Sequence, residues 1–485
     1  MPVLIAGVDS STQSCKVELR DADDFSLVAR GSAPHPVVTP PLSEQDPEDW
    51  WRAFVAAFRA AMAEAPADSR VAAISVGGQC HGLVALDGDG VPLRPAKLWN
   101  DTTTAPDLEP LIARVGAERF IERTGSLPPA AFTISKLAGL AAHEPEVLRA
   151  LRTALLPHDY LTFRLTGERV TDRSEASGTG YFDADVNEYV WEFLEAVSPE
   201  PDWPSIVPRV AGPDEVVGVL HADALRELGL SSEVVVGAGG GDQHVSAVGL
   251  GLETGELVIA LGTSGVIFTP TPRPVRDPAG VINGVAAVPG GFLPLACTLN
   301  STKVTDAFAR WLAVDHAELS RLALEAGPEG PILVAYLDGE RTPNRPNARG
   351  MMVDLTSDTS REQLARAAYE GVVFGLRAGV EQLNALGVET PGGAMVVGGG
   401  ARAEAYRRFI ADALQRPVSL PQAEEAVARG AAVQAFALHA GVPLVRAMAD
   451  LRPEAPVVAE PSPQGVARWD RYREAAALTA LDRRA

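Results

Sequence analysis

Four apolar runs in this chain each break off into a turn of small residues, and no other feature restricts the fold as much. Val3-Leu4-Ile5-Ala6-Gly7-Val8 leads into Asp9-Ser10-Ser11-Thr12, and Val234-Val235-Val236 into Gly239-Gly240-Gly241-Asp242-Gln243-His244. Leu257-Val258-Ile259-Ala260-Leu261 leads into Gly262-Thr263-Ser264-Gly265, and Met395-Val396-Val397 into Gly398-Gly399-Gly400-Ala401. Short continuous runs of this kind read as buried strands. Glycine-rich turns after such strands let backbone N–H groups approach phosphate oxygens closely. Two of the turns also present an aspartate, a combination that points to a phosphate-handling enzyme with a metal and a general base.

The chain is 485 residues long, enough for two or more domains. Its net charge of −21 argues against a nucleic-acid partner, because phosphate backbones attract Lys and Arg. Lysine occurs at positions 16, 97, 136 and 303, and none follows a glycine, so a Walker-type loop is excluded and phosphate must be bound by other turns. Cys15, Cys80 and Cys297 are far apart in sequence, without zinc-type spacing. With no recognisable signal peptide, they suggest reduced thiols and a cytoplasmic protein. The most apolar stretch, near residues 281–299, carries Asn283, Pro289 and Pro294, so no membrane span is expected.

Strands are expected at 3–9, 15–20 and 26–30 as a meander, and again at 71–76 and 83–86. Asp46-Pro47-Glu48-Asp49 is a helix start: an Asp cap, Pro in the first turn, acids after it. Trp50, Phe54 and Phe58 then share one face of that helix. Residues 107–158 read as mostly helical, 213–230 as a strand and a helix, and 361–388 and 402–415 as helices. At Glu256 the pattern of apolar strand, small turn and second strand restarts, echoing the opening of the chain. Two similarly built domains are expected, 1–246 and 247–485.

Each motif taken alone supports a bland reading as well as a chemical one. Asp9 can hold a hydrated Mg²⁺ beside Ser10, Ser11, Thr12 and Lys16, or close an Asx turn. Asp242 can act as a general base or cap the helix that follows it. Cys80-His81, after Gly77-Gly78-Gln79, can hydrogen-bond a polyhydroxylated ligand or be structural, and no nearby basic cluster marks Cys80 as a nucleophile. The Gly262 and Gly398 turns can each cradle part of a nucleotide or be plain tight turns. Their order along one chain is more informative than any one of them.

Taken in that order, the motifs resemble the FGGY family of carbohydrate kinases over roughly residues 3–440. Within the family the likeness is greatest to the branch acting on xylulose. That closer match rests on Gly78-Gln79-Cys80-His81-Gly82, Leu98-Trp99-Asn100-Asp101, Leu156-Pro157-His158-Asp159-Tyr160-Leu161, Thr166-Gly167, Ser177-Gly178-Thr179 and Tyr336-Leu337-Asp338-Gly339-Glu340-Arg341-Thr342-Pro343. The resemblance implies two actin/Hsp70-like (ribonuclease H-like) α/β domains, each with a mixed five-stranded sheet, closing over a central catalytic cleft. It implies ATP and Mg²⁺, and a reaction that makes D-xylulose 5-phosphate.

By the same resemblance, Asp242 is the base on the sugar hydroxyl and Asp9 organises Mg²⁺. Thr12, Lys16, Thr263, Ser264 and Gly265 lie near the nucleotide phosphates, and Gly399, Gly400 and Ala401 on the adenosine side. Cys80, His81, Asp242 and Gln243 contact the sugar, and a homodimer is compatible with the family. This chain departs from the family pattern at Ser11, where Gly is usual, at Cys80, where Met is common, and at Gln243, where the xylulose branch often has Asn. The last two bear on the acceptor, and ribulose, another pentulose or glycerol is the alternative. A non-catalytic actin-like nucleotide-binding protein is the alternative from another class.

Overall fold

The computed structural model describes residues 2–463 and 465–479 and divides into two units. The first takes Met1–Leu252, Val285–Phe292 and Ala423–Pro453, and the second Glu253–Gly284, Leu293–Gln422 and Glu454–Ala485. The chain first crosses between units after Leu252 and returns to the first unit twice.

The first unit is built on a mixed sheet. Its strands are β1 (Val3–Ser10), β2 (Ser14–Asp21), β3 (Leu27–Pro34), β4 (Arg70–Gly78), β5 (Val216–Val219) and β6 (Val235–Gly237), in spatial order β5-β6-β4-β1-β2-β3. The two-residue β7 (Gly240–Gly241) pairs beside β6 on the same edge of β4. The meander β1–β2–β3 is antiparallel, β4 joins β1 in parallel, and β6 joins β4 in parallel. Register sets Asp9 opposite Lys16 on one side and Gly77 on the other, at the strand ends.

The helix Pro47–Glu64 starts as its sequence dictates: Asp46 Oδ1 accepts the Glu48 N–H at 3.0 Å, and Trp50, Phe54 and Phe58 are fully buried. Each such side chain contributes about 1.5–3 kcal/mol by leaving water. The stretch 107–158 is mostly helical, as expected. Gly116, Gly125, Pro145 and Pro157 cut it into short helices, and the strand Thr153–Leu155 interrupts it.

The second unit repeats the plan. Its strands are β8 (Leu257–Leu261), β9 (Gly265–Phe268), β10 (Leu295–Thr298), β11 (Ala394–Val397), β12 (Val418–Ser419) and β13 (Val457–Ala459), in order β10-β9-β8-β11-β12-β13. Again an antiparallel meander is extended by two parallel strands and closed by an antiparallel edge. The two sheets thus have seven and six strands rather than five, because short edge strands and β7 join a shared five-strand plan. The long helix Arg361–Ala385 opens on a capping box of Ser360 and Gln363 and buries Tyr369, Val372, Phe374 and Leu376 in the core. Among the described residues, no single helix is long and apolar enough to cross a membrane.

Candidate active site

In the first unit, the ends of β1, β4 and β7 converge. Asp9 is 5% exposed, and its Oδ1 accepts a hydrogen bond from Ser11 Oγ. Burial pushes the carboxyl up to about 7; the Ser11 bond and Lys16 oppose this, and the charge of Asp242 adds to it. Lys16 Nζ bonds Glu425 Oε2 at 2.6 Å, across 409 residues of chain. Thr12 Oγ1 accepts from Trp99 Nε1 at 2.9 Å, and Gln45 Nε2 holds the Thr12 carbonyl at 3.1 Å, so the turn after β1 is pinned from two sides.

Asp242 is the first residue of the helix Asp242–Gly249, which makes Gly241 the cap residue, and no side-chain bond caps the helix there. The capping role read from the sequence is therefore displaced by one residue: the Asp242 carboxylate is held locally instead. Its Oδ1 accepts the Gln243 N–H at 2.7 Å and the Cys80 thiol at 3.3 Å. Both bonds fall on one oxygen, Oδ1. Burial raises the Asp242 pKa, although the residue is partly exposed. Burial and the flanking Glu175 and Asp242 carboxyls push the Cys80 pKa well up, so Cys80 is a thiol and not a nucleophile.

The helix carrying Asp242 is set by two glycines. A Cβ on Gly430 would stand 1.9 Å from Val245 O, and one on Gly249 would stand 2.1 Å from Ala426 O. The helices Asp242–Gly249 and Ala426–Ala440 touch backbone to backbone, a fit that only glycine allows.

His81 has φ +66°, a left-handed conformation that costs energy and must be held by its surroundings. Its N–H donates to Glu175 Oε2 at 3.0 Å, its carbonyl accepts from Thr133 Oγ1 at 3.0 Å, and its ring lies against Phe132. Gly178 makes room for the ring, since a Cβ there would meet His81 Cε1 at 2.2 Å.

Glu175 was not legible as a site residue. It is fully buried in the five-residue helix Arg173–Ser177, and burial raises it to about 8. Behind it, burial opposes charge on His158, but the Asp159 and Asp172 carboxylates outweigh this and hold the imidazole at about 9. The nearest signal in the sequence was the Ser177-Gly178-Thr179 motif that follows Glu175.

The oxygen donors around Asp9 suit Mg²⁺. Among the described residues no ion pair joins Asp9 to a cation, and a buried carboxylate left protonated near neutrality is one that a hard divalent ion would hold ionised.

In the second unit, the turn after β8 and the turn after β11 meet. Gly398 has φ +87°, and a single 3₁₀ turn spans Gly399–Arg402. Gly400 sits against Leu261 and Thr302, where a Cβ would come within 2.7 and 2.9 Å. A cavity of about 640 Å³ opens here, lined by Thr263, Thr302, Gly399, Gly400, Arg402 and Tyr406 among others. Its volume is in the range of small-molecule sites. Ser264 is half-buried beside this turn, whereas Gly265 and Ala401 are buried in the framework, Gly265 against Thr298 and Leu376.

Comparison with known proteins shows the family. Models of the FGGY family of carbohydrate kinases match over residues 4–249 for the N-terminal domain and 257–439 for the C-terminal domain. Xylulose kinase of Streptomyces rubiginosus is 44% identical over 439 residues, 90% of this chain and 88% of the relative. The crystal structure of xylulose kinase from Bifidobacterium adolescentis matches with a TM-score of 0.85 at 36% identity, covering 98% of this chain and 99% of that one. Xylulose kinase from Rhodospirillum rubrum matches with a TM-score of 0.89 at 29% identity, covering 98% of each. With its two α/β units of actin/Hsp70-like plan, this chain belongs to the FGGY family of carbohydrate kinases.

Proposed function

We propose that this chain transfers the terminal phosphoryl group of ATP to the 5-hydroxyl of D-xylulose, with Asp242 as general base. The observation that carries the reading is the Asp242 carboxylate. It is raised in pKa by burial and is fastened by Gln243 and Cys80 through Oδ1 rather than Oδ2. A sugar hydroxyl is a poor nucleophile until its proton has an acceptor, and a raised carboxylate pKa improves that acceptor at neutral pH. Oδ2 takes the proton as the hydroxyl oxygen bonds the phosphorus and the bond to ADP breaks.

The first unit serves the acceptor and the base, with Cys80, His81 and Gln243 facing the sugar. The second serves the nucleotide, with Thr263, Ser264 and Gly265 on the phosphate side and Gly399, Gly400 and Ala401 on the adenosine side. Thr12 from the β1–β2 turn and Lys16 from β2 attend the phosphates. Mg²⁺ would be held through Asp9 and would neutralise charge on the phosphates. The three unpaired cysteines and the need for ATP accord with a cytoplasmic setting.

A second reading keeps the transfer and changes the acceptor to another pentulose or a polyol. It is favoured by Cys80, whose thiol sits on the base itself where the family commonly has Met. Release of ADP measured over ketoses and polyols, for the parent and Asp242→Asn, separates the readings. The first expects preference for xylulose and a loss of about 10²–10⁴-fold in kcat in the variant. Parental turnover in Asp242→Asn removes the base assignment, and a ribulose or glycerol preference removes the xylulose one.

A further inference from the structure

We infer that Cys80, Glu175 and His244 form a binding site for a single borderline-soft divalent cation, of which Zn²⁺ fits the donors best. One ligand atom from each of the three lies within 4.8 Å of the other two. The residues come from three different elements: the loop after β4, the helix Arg173–Ser177 and the helix Asp242–Gly249. They are 8%, 0% and 1% exposed. Thiolate, imidazole and carboxylate together are a zinc donor set, whereas Mg²⁺ and Ca²⁺ take oxygen ligands.

The surroundings hold these donors in place. Glu175 is anchored because Asp172 caps its helix with two N–H bonds and because Oε2 accepts from His81. The His244 ring hydrogen-bonds the Ala286 backbone, and its Nδ1 has no hydrogen-bond partner among the described residues. The space between the donors exists because residue 241 is glycine. A Cβ there would stand 2.6 Å from Cys80 Sγ, 3.0 Å from Glu175 Cγ and 3.0 Å from His244 Cδ2.

Asp242 borders the site through Cys80 and is not one of its three ligands. Its Oδ1 accepts the Cys80 thiol at 3.3 Å, the hydrogen bond that a metal on Cys80 Sγ would replace. Because Asp242 is partly exposed, an ion can arrive from that side. On binding, the Cys80 thiol loses its proton to solvent as the sulfur–metal bond forms. The carboxylate assigned above as the base then loses the thiol's hydrogen bond and gains a cation bound to its neighbour, so Zn²⁺ would inhibit phosphoryl transfer. This consequence, unlike the binding itself, rests on the proposed function.

Full-length protein freed of metal is titrated with Cd²⁺, and the ultraviolet sulfur-to-cadmium charge-transfer band is followed. One equivalent per chain is expected. Affinity should fall by more than about 100-fold in Cys80→Met and His244→Gln, beyond what an outer-shell change costs, and stay at the parental value in Cys297→Ser. Circular dichroism reports whether the variants are folded. A band that persists in folded Cys80→Met, or no band in the parent, overturns the site. Inhibition by Zn²⁺ in excess Mg²⁺ should be reversed by a zinc-selective chelator and weakened in Cys80→Met. Tight binding without inhibition keeps the site and removes its coupling to Asp242, and loss of base function in Asp242→Asn is read separately from the band.

Discussion

Gly430→Ala tests how the fold positions the base. The added Cβ would stand 1.9 Å from Val245 O and 2.8 Å from Gly249 N, where ordinary contact begins at 3.4 Å. Both neighbours are backbone atoms in a helix, so neither can rotate away, and the helix Asp242–Gly249 must retreat by about 1.5 Å in a close-packed interior. Val245 is one turn from Asp242, and a short rigid helix carries that shift to its first residue. A misplacement of about 1 Å can cost about 100-fold in rate, or about 2.7 kcal/mol of barrier. Overpacking by itself costs about 1–3 kcal/mol of stability, which leaves the protein folded.

Steady-state ADP release should therefore show kcat down by about two orders of magnitude at 25 °C. Thermal melting should show only a modest drop. Gly375→Ala is the control: its Cβ meets nothing nearer than Tyr472 Oη at 3.8 Å, so up to about 1 kcal/mol of added stability and parental kinetics are expected. If Gly430→Ala stays folded and turns over like the parent, helix contact does not set the base and the reasoning fails.

Three further outcomes follow from particular contacts. Asp9 holds its proton to about pH 7 in the native state but to about 3.8 unfolded, so its ionisation withdraws stability as pH rises through that window. In metal-free buffer Asp9→Asn should gain up to about 4 kcal/mol over the parent above the window and nothing below it, and parallel melting curves would contradict this. Gly178→Ala drives a methyl into His81 Cε1 and should raise KM for the sugar while leaving KM for ATP alone; a change in neither separates His81 from the acceptor. Gly400→Ala presses on Leu261 and Thr302 and should do the reverse, with isothermal titration of ADP as the direct check.

Much of the framework was legible locally. The meander, the Asp46-Pro47 helix start and the restart at Glu256 are short-range signals, and each appears in the structure. The strand-end placement of Asp9 and Asp242 was equally visible. Departures arose where short-range rules compete. The glycines and prolines of 107–158 divide its helical content into short helices whose ends no average over Ala and Leu locates. At Asp242, packing of the following helix took the capping position from the side chain.

What the residue order determined on its own is where strands stop and which of them carry a carboxylate, because φ/ψ preference and hydrophobic period act over a few neighbours. Only the folded chain decided that residues 423–453 return to the first unit, that Glu425 meets Lys16 and that Cys80 meets Asp242 across 162 positions. Contacts at such separations depend on whether two backbones can close to within a glycine's width, and no local pattern encodes that distance.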